Sequence, residues 1–282
     1  VFVAHGYSDH IWGRMVAIEE GVPVIVHVEH AHERYKWLHL RRSRRLALQT
    51  DAIVGVSKGV VERLRELGLP GEKLHTIYNG VRVERFVAPT PQPWARREPA
   101  VVMASRFGQP KDQRTLIRAA ALLRDRGTPI RVRLVGGGKQ LEIWRAKWLV
   151  RWLGLGGLVE FLGHRNDLPE ILWKHQVAVI STRREGFGLV AVESMAAGCA
   201  VVASRAPGVA ELIEHGHTGW LATTGDPVTF ADAIAEALGA EGPVRAAAGA
   251  AFAGASFGLV RMTTEYERLF EQLYPAKRRP SA

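Results

Sequence analysis

Short apolar runs alternate with helical segments along the whole chain, and this alternation constrains the fold more than any other feature of the sequence. Residues 1–4, 24–28 and 52–56 are almost wholly apolar. A strand that is apolar at nearly every position has both faces covered, the condition met in a parallel sheet packed between helices. Helical stretches lie between these runs: residues 9–20, the basic segment 34–45, and a helix after Ser57. In that last helix Val60, Val61, Leu64 and Leu67 recur at helical spacing until Gly68 stops it. A short strand over 74–78 then runs into the turn Asn79-Gly80. Beyond a segment crowded with Pro89, Pro91, Pro93 and Pro99, strands are expected at 100–105, 130–135, 159–162, 177–181, 200–204 and 219–222. Helices are expected over 112–126, from 188 to Gly198, and from Asp226-Pro227 to about 238. The expected architecture is α/β, with two doubly wound, Rossmann-like parallel-sheet domains facing a cleft. Residues 1–86 would form the first domain, 87–99 a hinge linker, 100–256 the second domain, and 257–282 a helix packing back across both.

At 282 residues, 47% of them hydrophobic, the chain can bury two cores. Cys199 is the single cysteine, which excludes an intramolecular disulfide framework or a cysteine zinc site and fits a reducing, cytoplasmic setting; a small buried residue entering a strand accounts for it. No stretch approaches the roughly 20 apolar residues that span a membrane. The sequence opens on Val1, inside an apolar strand and without a methionine, so the first domain is expected to be incomplete at its N-terminus. A formal net charge of +10 asks for a partner or for solvation. Much of it sits in RYKWLHLRRSRR at 34–45, where Tyr35, Trp37, Leu38 and Leu40 interleave with the cations. An anionic membrane surface and a solvated helix face are both open readings there. A second such run, WRAKWLVRW at 144–152, is expected to lay its apolar side chains on the sheet.

Chemistry is expected in the stretch 181–202, STRREGFGLVAVESMAAGCAVV, where Glu185 and Glu193 flank a glycine turn opening a helix. Gly186 and Gly188 let backbone N–H groups approach a ligand, and the helix N-terminus adds a partly positive field suited to an anionic or hydroxyl-rich group. With a helix starting near Gly188, Glu193 lies roughly 7 to 8 Å along the axis. The two carboxylates are thus spaced to hold two ends of an extended ligand by its hydroxyls, although a loop acid and a helix acid without a ligand would look the same. Arg106 and Lys111 bracket the loop after the strand at 100–105, where both cations can point at one phosphate. Gly136-Gly137-Gly138 lacks the G-x-G-x-x-G spacing, and a strand-ending turn explains it equally well. No metal-ligand cluster is recognisable by spacing, so no metal site is expected.

EGFGLVAVESMAAG, with seven residues between Glu185 and Glu193, resembles the E-x7-E signature of the family 4 glycosyltransferases, retaining enzymes of the GT-B fold. TDAIVGVSKGVVERL at 50–64, HTIYNGVRVERF at 75–86, SRFGQPKDQRTLIRAA at 105–120, VEFLGHRNDLPEIL at 159–172 and APGVAELIEHGHTGWL at 206–221 look like further landmarks of that family, in its order. The resemblance implies an acceptor-side first domain and a second domain binding a nucleotide sugar donor. Arg106 and Lys111 would then hold the donor diphosphate. Glu185 with the backbone of Gly186, Phe187 and Gly188 would hold the transferred sugar, with Leu189 also at the donor site, and Glu193 would hold the ribose. His164 and Arg165 would lie by the base. VIVHVEH at 24–30 is similar to a strand ending in a histidine that reaches the sugar; His30 matches it, with His27 and His32 as competitors and His5 as a weaker one.

The implied activity is transfer of a sugar from a UDP- or GDP-sugar to an acceptor hydroxyl with retention, without metal or cofactor, in polysaccharide, lipopolysaccharide or glycolipid synthesis. The acceptor would be a glycan or lipid-linked, the enzyme cytoplasmic and peripheral at the membrane through 34–45, and nucleic acid is not an expected partner. A sugar-nucleotide epimerase or phosphorylase of the same fold, or a basic polyanion-binding protein without activity, are the alternatives.

Overall fold

The structure is a computed structural model, in which residues 1–6, 9–32 and 35–277 are described. It divides into two compact units, Val1–Gly80 with Leu259–Ala282, and Val81–Gly258.

The first unit contains strands β1 (Phe2–His5), β2 (Ile25–Glu29), β3 (Ala52–Gly55) and β4 (Leu74–Thr76). They pair in that order, all parallel. A π-helical turn, Asp9–Gly13, leads into α1 (Arg14–Glu19); α2 (Trp37–Ala47) and α3 (Lys58–Glu66) make the other crossovers. Ser57 caps α3 by accepting from Val60 N, as its position before the first apolar residue predicts. All of β2 and β3 is buried, so the uniformly apolar runs do mark strands covered on both faces.

The second unit contains β5 (Glu98–Ala104), α4 (Gln113–Asp125), β6 (Arg131–Val135), α5 (Gln140–Trp152), β7 (Val159–Gly163), α6 (Leu168–Lys174) and β8 (His175–Ile180). These are followed by α7 (Leu189–Ala196), β9 (Ala200–Ser204), β10 (Trp220–Ala222), α8 (Pro227–Leu238) and α9 (Gly242–Ser256). The strands form one parallel sheet of order β10-β9-β8-β5-β6-β7. Its core packs Val101, Met103, Leu116, Ile117 and Leu134 from the first half against Val177, Val202, Phe230 and Ile234 from the second. After β7 the chain crosses back to place β8 on the other side of β5, so the strand order reverses between β5 and β8. Loops leaving neighbouring strands at such a reversal diverge to opposite faces and open a crevice beyond their C-terminal ends.

The division into units differs from the sequence-based boundary. It falls between Gly80 and Val81, and the proline-rich stretch 87–99 lies inside the second unit. The Gln176 amide donates to Trp94 O at 3.0 Å, the Trp173 indole donates to Phe86 O at 2.6 Å, and Trp94 packs on the core. Prolines remove backbone donors and regular structure, but they leave carbonyls and side chains free to bind the body of the fold. The C-terminal helix α10 (Leu259–Lys277) belongs to the first unit, where Arg261 donates to Tyr78 O at 2.5 Å. Residues 278–282 and Arg34, the first residue of the basic segment, lie outside the described residues. Sequence reasoning left out helices α6, which is only 7 residues long, and α9, whose many alanines and glycines give no clear apolar periodicity.

Candidate functional site

The second unit brings the predicted cations and the first predicted carboxylate together at the strand reversal. Loop 105–112 leaves β5 and loop 181–188 leaves β8. The two are stitched by backbone: Asp112 N donates to Ser181 O at 3.0 Å and Arg183 N to Pro110 O at 2.9 Å. Ser181 Oγ donates to Asp112 O at 2.8 Å. On this frame Lys111 Nζ donates to Glu185 Oε2, and both side chains remain partly open, at 25% and 18% exposure. An ion pair of this exposure adds little to stability, but it holds a cation and a carboxylate ready for a ligand.

Arg106, Lys111 and Lys139 line a depression of about 300 Å³ with Phe107, Gly108, Gln109, Pro110 and Gly138. Three cations around one small hollow favour an anionic group such as a phosphate. Lys139 escaped the sequence reading; a lysine directly after three glycines and before a helix was the available signal. Gln113 escaped it too. Its amide donates to Ser105 Oγ and to Arg106 O, both at 3.0 Å, fixing the turn that carries Arg106. The triple glycine shapes this hollow through packing: Lys139 N donates to Phe107 O at 3.0 Å, and a Cβ on Gly138 would stand 2.3 Å from that carbonyl oxygen.

Gly188 has φ +103° and is the N-cap of α7, a left-handed conformation that disfavours any side chain. Phe187 lies between the two glycines of this turn. Its side chain is 2% exposed and meets Phe257 edge-on at 5.7 Å, so only its backbone can face a ligand. Leu189 is 44% exposed at the start of α7. Glu193 lies one turn further in, and burial raises its carboxyl above the usual range while the Arg85 cation acts the other way. His164 and Arg165 are exposed in the loop after β7, whose Gly163 carbonyl accepts from Gly136 N at 2.7 Å. Arg165 is engaged within its own loop, donating to both carboxylate oxygens of Asp167 at 2.8 and 2.5 Å.

The first unit carries its own polar cluster at the C-terminal ends of β1 and β2. His30 is exposed as a residue, but its ring is partly desolvated, with its Nε2 2.9 Å from His5 Nδ1; that desolvation first and the neighbouring His5 second lower its pKa. His27, a competitor on sequence grounds, is 0% exposed because it points into the core side of β2. His32 is half-buried. Glu29 accepts from His30 N at 3.1 Å and Ala31 N at 3.3 Å, and the Tyr35 hydroxyl donates to its other oxygen at 2.6 Å. Among the described residues, His10, His27 and Glu29 form a group whose ligand-type atoms lie within 4.8 Å of one another. Nitrogens sharing a tetrahedral zinc stand about 3.3 Å apart. The His10 and His27 Nε2 atoms are 2.5 Å apart, and the buried Arg14 adds a cation beside them, so this group reads as a hydrogen-bonded core.

Residues 98–240 match the family described as Glycosyl transferases group 1, and residues 1–85 match Glycosyltransferase Family 4. A GDP-mannose-dependent alpha-(1-6)-phosphatidylinositol monomannoside mannosyltransferase of Mycobacterium tuberculosis is 32% identical over 231 residues, 74% of this chain and 59% of that protein. The N-acetyl-alpha-D-glucosaminyl L-malate synthase of Bacillus anthracis is 28% identical over 67% of this chain and 51% of its own length. The chain thus spans between half and three fifths of these relatives. Among solved structures, Anabaena HepE in complex with UDP superposes with a TM-score of 0.88 at 24% identity, over 96% of this chain and 78% of that one. HepE in complex with UDP-glucose gives 0.86 at 25% identity, over 96% and 78%. With its doubly wound parallel sheets and both matches in their expected places, the chain belongs to the family 4 glycosyltransferases of the GT-B fold.

Proposed function

We propose that the protein transfers a sugar from a UDP- or GDP-sugar to an acceptor hydroxyl with retention of configuration. The Lys111–Glu185 pair beside the basic hollow, at the strand reversal, is the observation that carries this reading. In it Arg106 and Lys111, joined by Lys139, bind the diphosphate and stabilise the charge that develops on it as the glycosidic bond breaks. Glu185 accepts from the sugar hydroxyls, the amides of 186–188 donate to them, Glu193 holds the ribose, and His164 and Arg165 flank the base. Phosphate neutralisation by three protein cations makes a metal unnecessary in this scheme. Relatives that use GDP-mannose and that were solved with UDP-glucose favour these donors.

The acceptor is proposed to be a glycan or lipid-linked hydroxyl in polysaccharide, lipopolysaccharide or glycolipid synthesis, and the enzyme cytoplasmic. Among the described residues no helix is long and apolar enough to cross a membrane. Peripheral attachment through α2 is supported by its exposed Trp37 and Leu38, with Arg41 over the Trp37 ring at 5.7 Å and Arg42 over Trp12 at 5.7 Å. A thermal-shift comparison of UDP, GDP and ADP on wild type and Lys111→Ala tests the donor site. Stabilisation by one nucleotide that Lys111→Ala loses is expected; no stabilisation by any of them would sink the nucleotide-sugar reading.

A further inference from the structure

Helix α5 departs from its expected packing. Trp144, Trp148 and Trp152 are 62%, 54% and 69% exposed, and Leu141 is 57% exposed. At about 100° per residue these four side chains fall within an arc of about 80°. The core-facing side is filled by Ala146, Leu149 and Val150, exposed by 1%, 5% and 5%. The helix has therefore satisfied the sheet with smaller residues and turned its indoles outward. A lone exposed apolar residue needs no explanation, but a continuous stripe does. The Trp148 and Trp152 rings lie parallel, 4° apart in plane and 6.1 Å between centroids, so the stripe is unbroken there.

Lys147 and Arg151 flank the stripe on one edge, and Lys147 also lies 5.7 Å from the Phe161 ring centre. The one acid of α5, Glu142, is turned about 110° or more from the stripe's centre by helical spacing. Its carboxylate pairs with Arg145 at 2.7 Å. We propose that this face of α5 docks on an anionic lipid bilayer, with the indoles at the headgroup level and Lys147 and Arg151 on lipid phosphates. Indoles with an apolar body and one N–H donor suit that boundary, and the flanking charge is complementary to it. A second copy of this chain would set Lys147 and Arg151 against their own kind, in a protein with a formal charge of +10. A glycan platform would want hydroxyl-accepting carboxylates beside the rings, and Glu142 faces away. This surface lies in the second unit and does not depend on α2 or on the proposed activity.

The test is sedimentation of the full chain with phosphatidylcholine vesicles and with vesicles that also contain phosphatidylglycerol. Wild type is expected to bind the anionic vesicles, with a blue shift of indole emission. The triple variant Trp144→Ser/Trp148→Ser/Trp152→Ser is expected to lower the partition coefficient about tenfold or more, a change of about 1.4 kcal/mol. Lys147→Gln/Arg151→Gln is expected to erase the preference for anionic over neutral lipid. Arg41→Gln/Arg42→Gln, measured in parallel, isolates any share carried by α2. Because the tryptophans are exposed, circular dichroism and melting temperature should be unchanged. Equal binding by the triple variant, binding of wild type to neither vesicle, or a concentration-dependent dimer that the triple variant abolishes would each overturn the proposal. Nucleotide stabilisation measured on the same samples separates such a failure from a failure of the transferase reading.

Discussion

Mild acid should destabilise the first unit through two buried histidines. His10 is held to about 4, against an ordinary 6.5, by burial first and by the Arg14 cation second. His27, fully buried, is also pushed well below the ordinary value, by burial, Arg14 and His10. Both are therefore neutral in the native state, while in the unfolded chain they protonate as pH falls through 6.5. The unfolded state then binds more protons, so stability is complete above about 6.5 and is lost as pH falls toward 4. Because both stay neutral in the native state, the cost of moving from pH 7.5 to 5.5 is set by protonation of the unfolded chain, on the order of 1 kcal/mol per histidine and roughly 2–3 kcal/mol for the two. His30 and His75 shift in the same direction through burial and add to the slope. For a unit of this size that corresponds to a fall of roughly 10–20 °C in melting temperature. Circular dichroism melts at pH 7.5, 6.5 and 5.5 measure it, and His10→Gln/His27→Gln should flatten the acid limb. A wild-type midpoint that moves by less than about 2 °C over this range would refute the assignment of neutral, desolvated histidines.

Glu185→Gln should leave the fold intact, since the Lys111 pair is partly exposed, and lower kcat by about 100-fold or more if the carboxylate orients the transferred sugar. Activity within threefold of wild type would remove Glu185 from the site. Glu193→Gln should raise the melting temperature at neutral pH, because burial disfavours the charged form, and weaken nucleotide stabilisation; both are read from one thermal-shift series. Gly138→Ala drives a Cβ into Phe107 O and should cost about 2 kcal/mol or more, measured by denaturant unfolding. Cys199 is 1% exposed, donates to Leu172 O at 3.2 Å, and has its thiol pushed up to about 12 by burial. It should resist a thiol-reactive reagent until the protein unfolds.

The sequence by itself determined the layers and the chemistry-bearing loops. Strands such as Ala200–Ser204 are apolar at nearly every position because both faces are covered, and that pattern survives without any knowledge of neighbours. Arg106, Lys111 and Glu185 were legible because glycine turns and helix starts mark where a strand ends, and the ends of strands carry the site in this kind of fold. Only the tertiary structure decided which loops meet. The reversal between β5 and β8 is a property of strand order, which local periodicity does not encode, and it is what sets Lys111 against Glu185; the pairing of β6 on the other side of β5 brings in Lys139. Tertiary packing also separated histidines that look alike in VIVHVEH: His27 lies within β2, which is buried on both faces, whereas His30 follows the strand's last residue, Glu29, and is exposed. It likewise turned the tryptophans of α5 outward, because Ala146, Leu149 and Val150 already fill the space beneath the helix. A helix with apolar residues around most of its circumference names no buried face by itself; the volume available against the sheet chooses it.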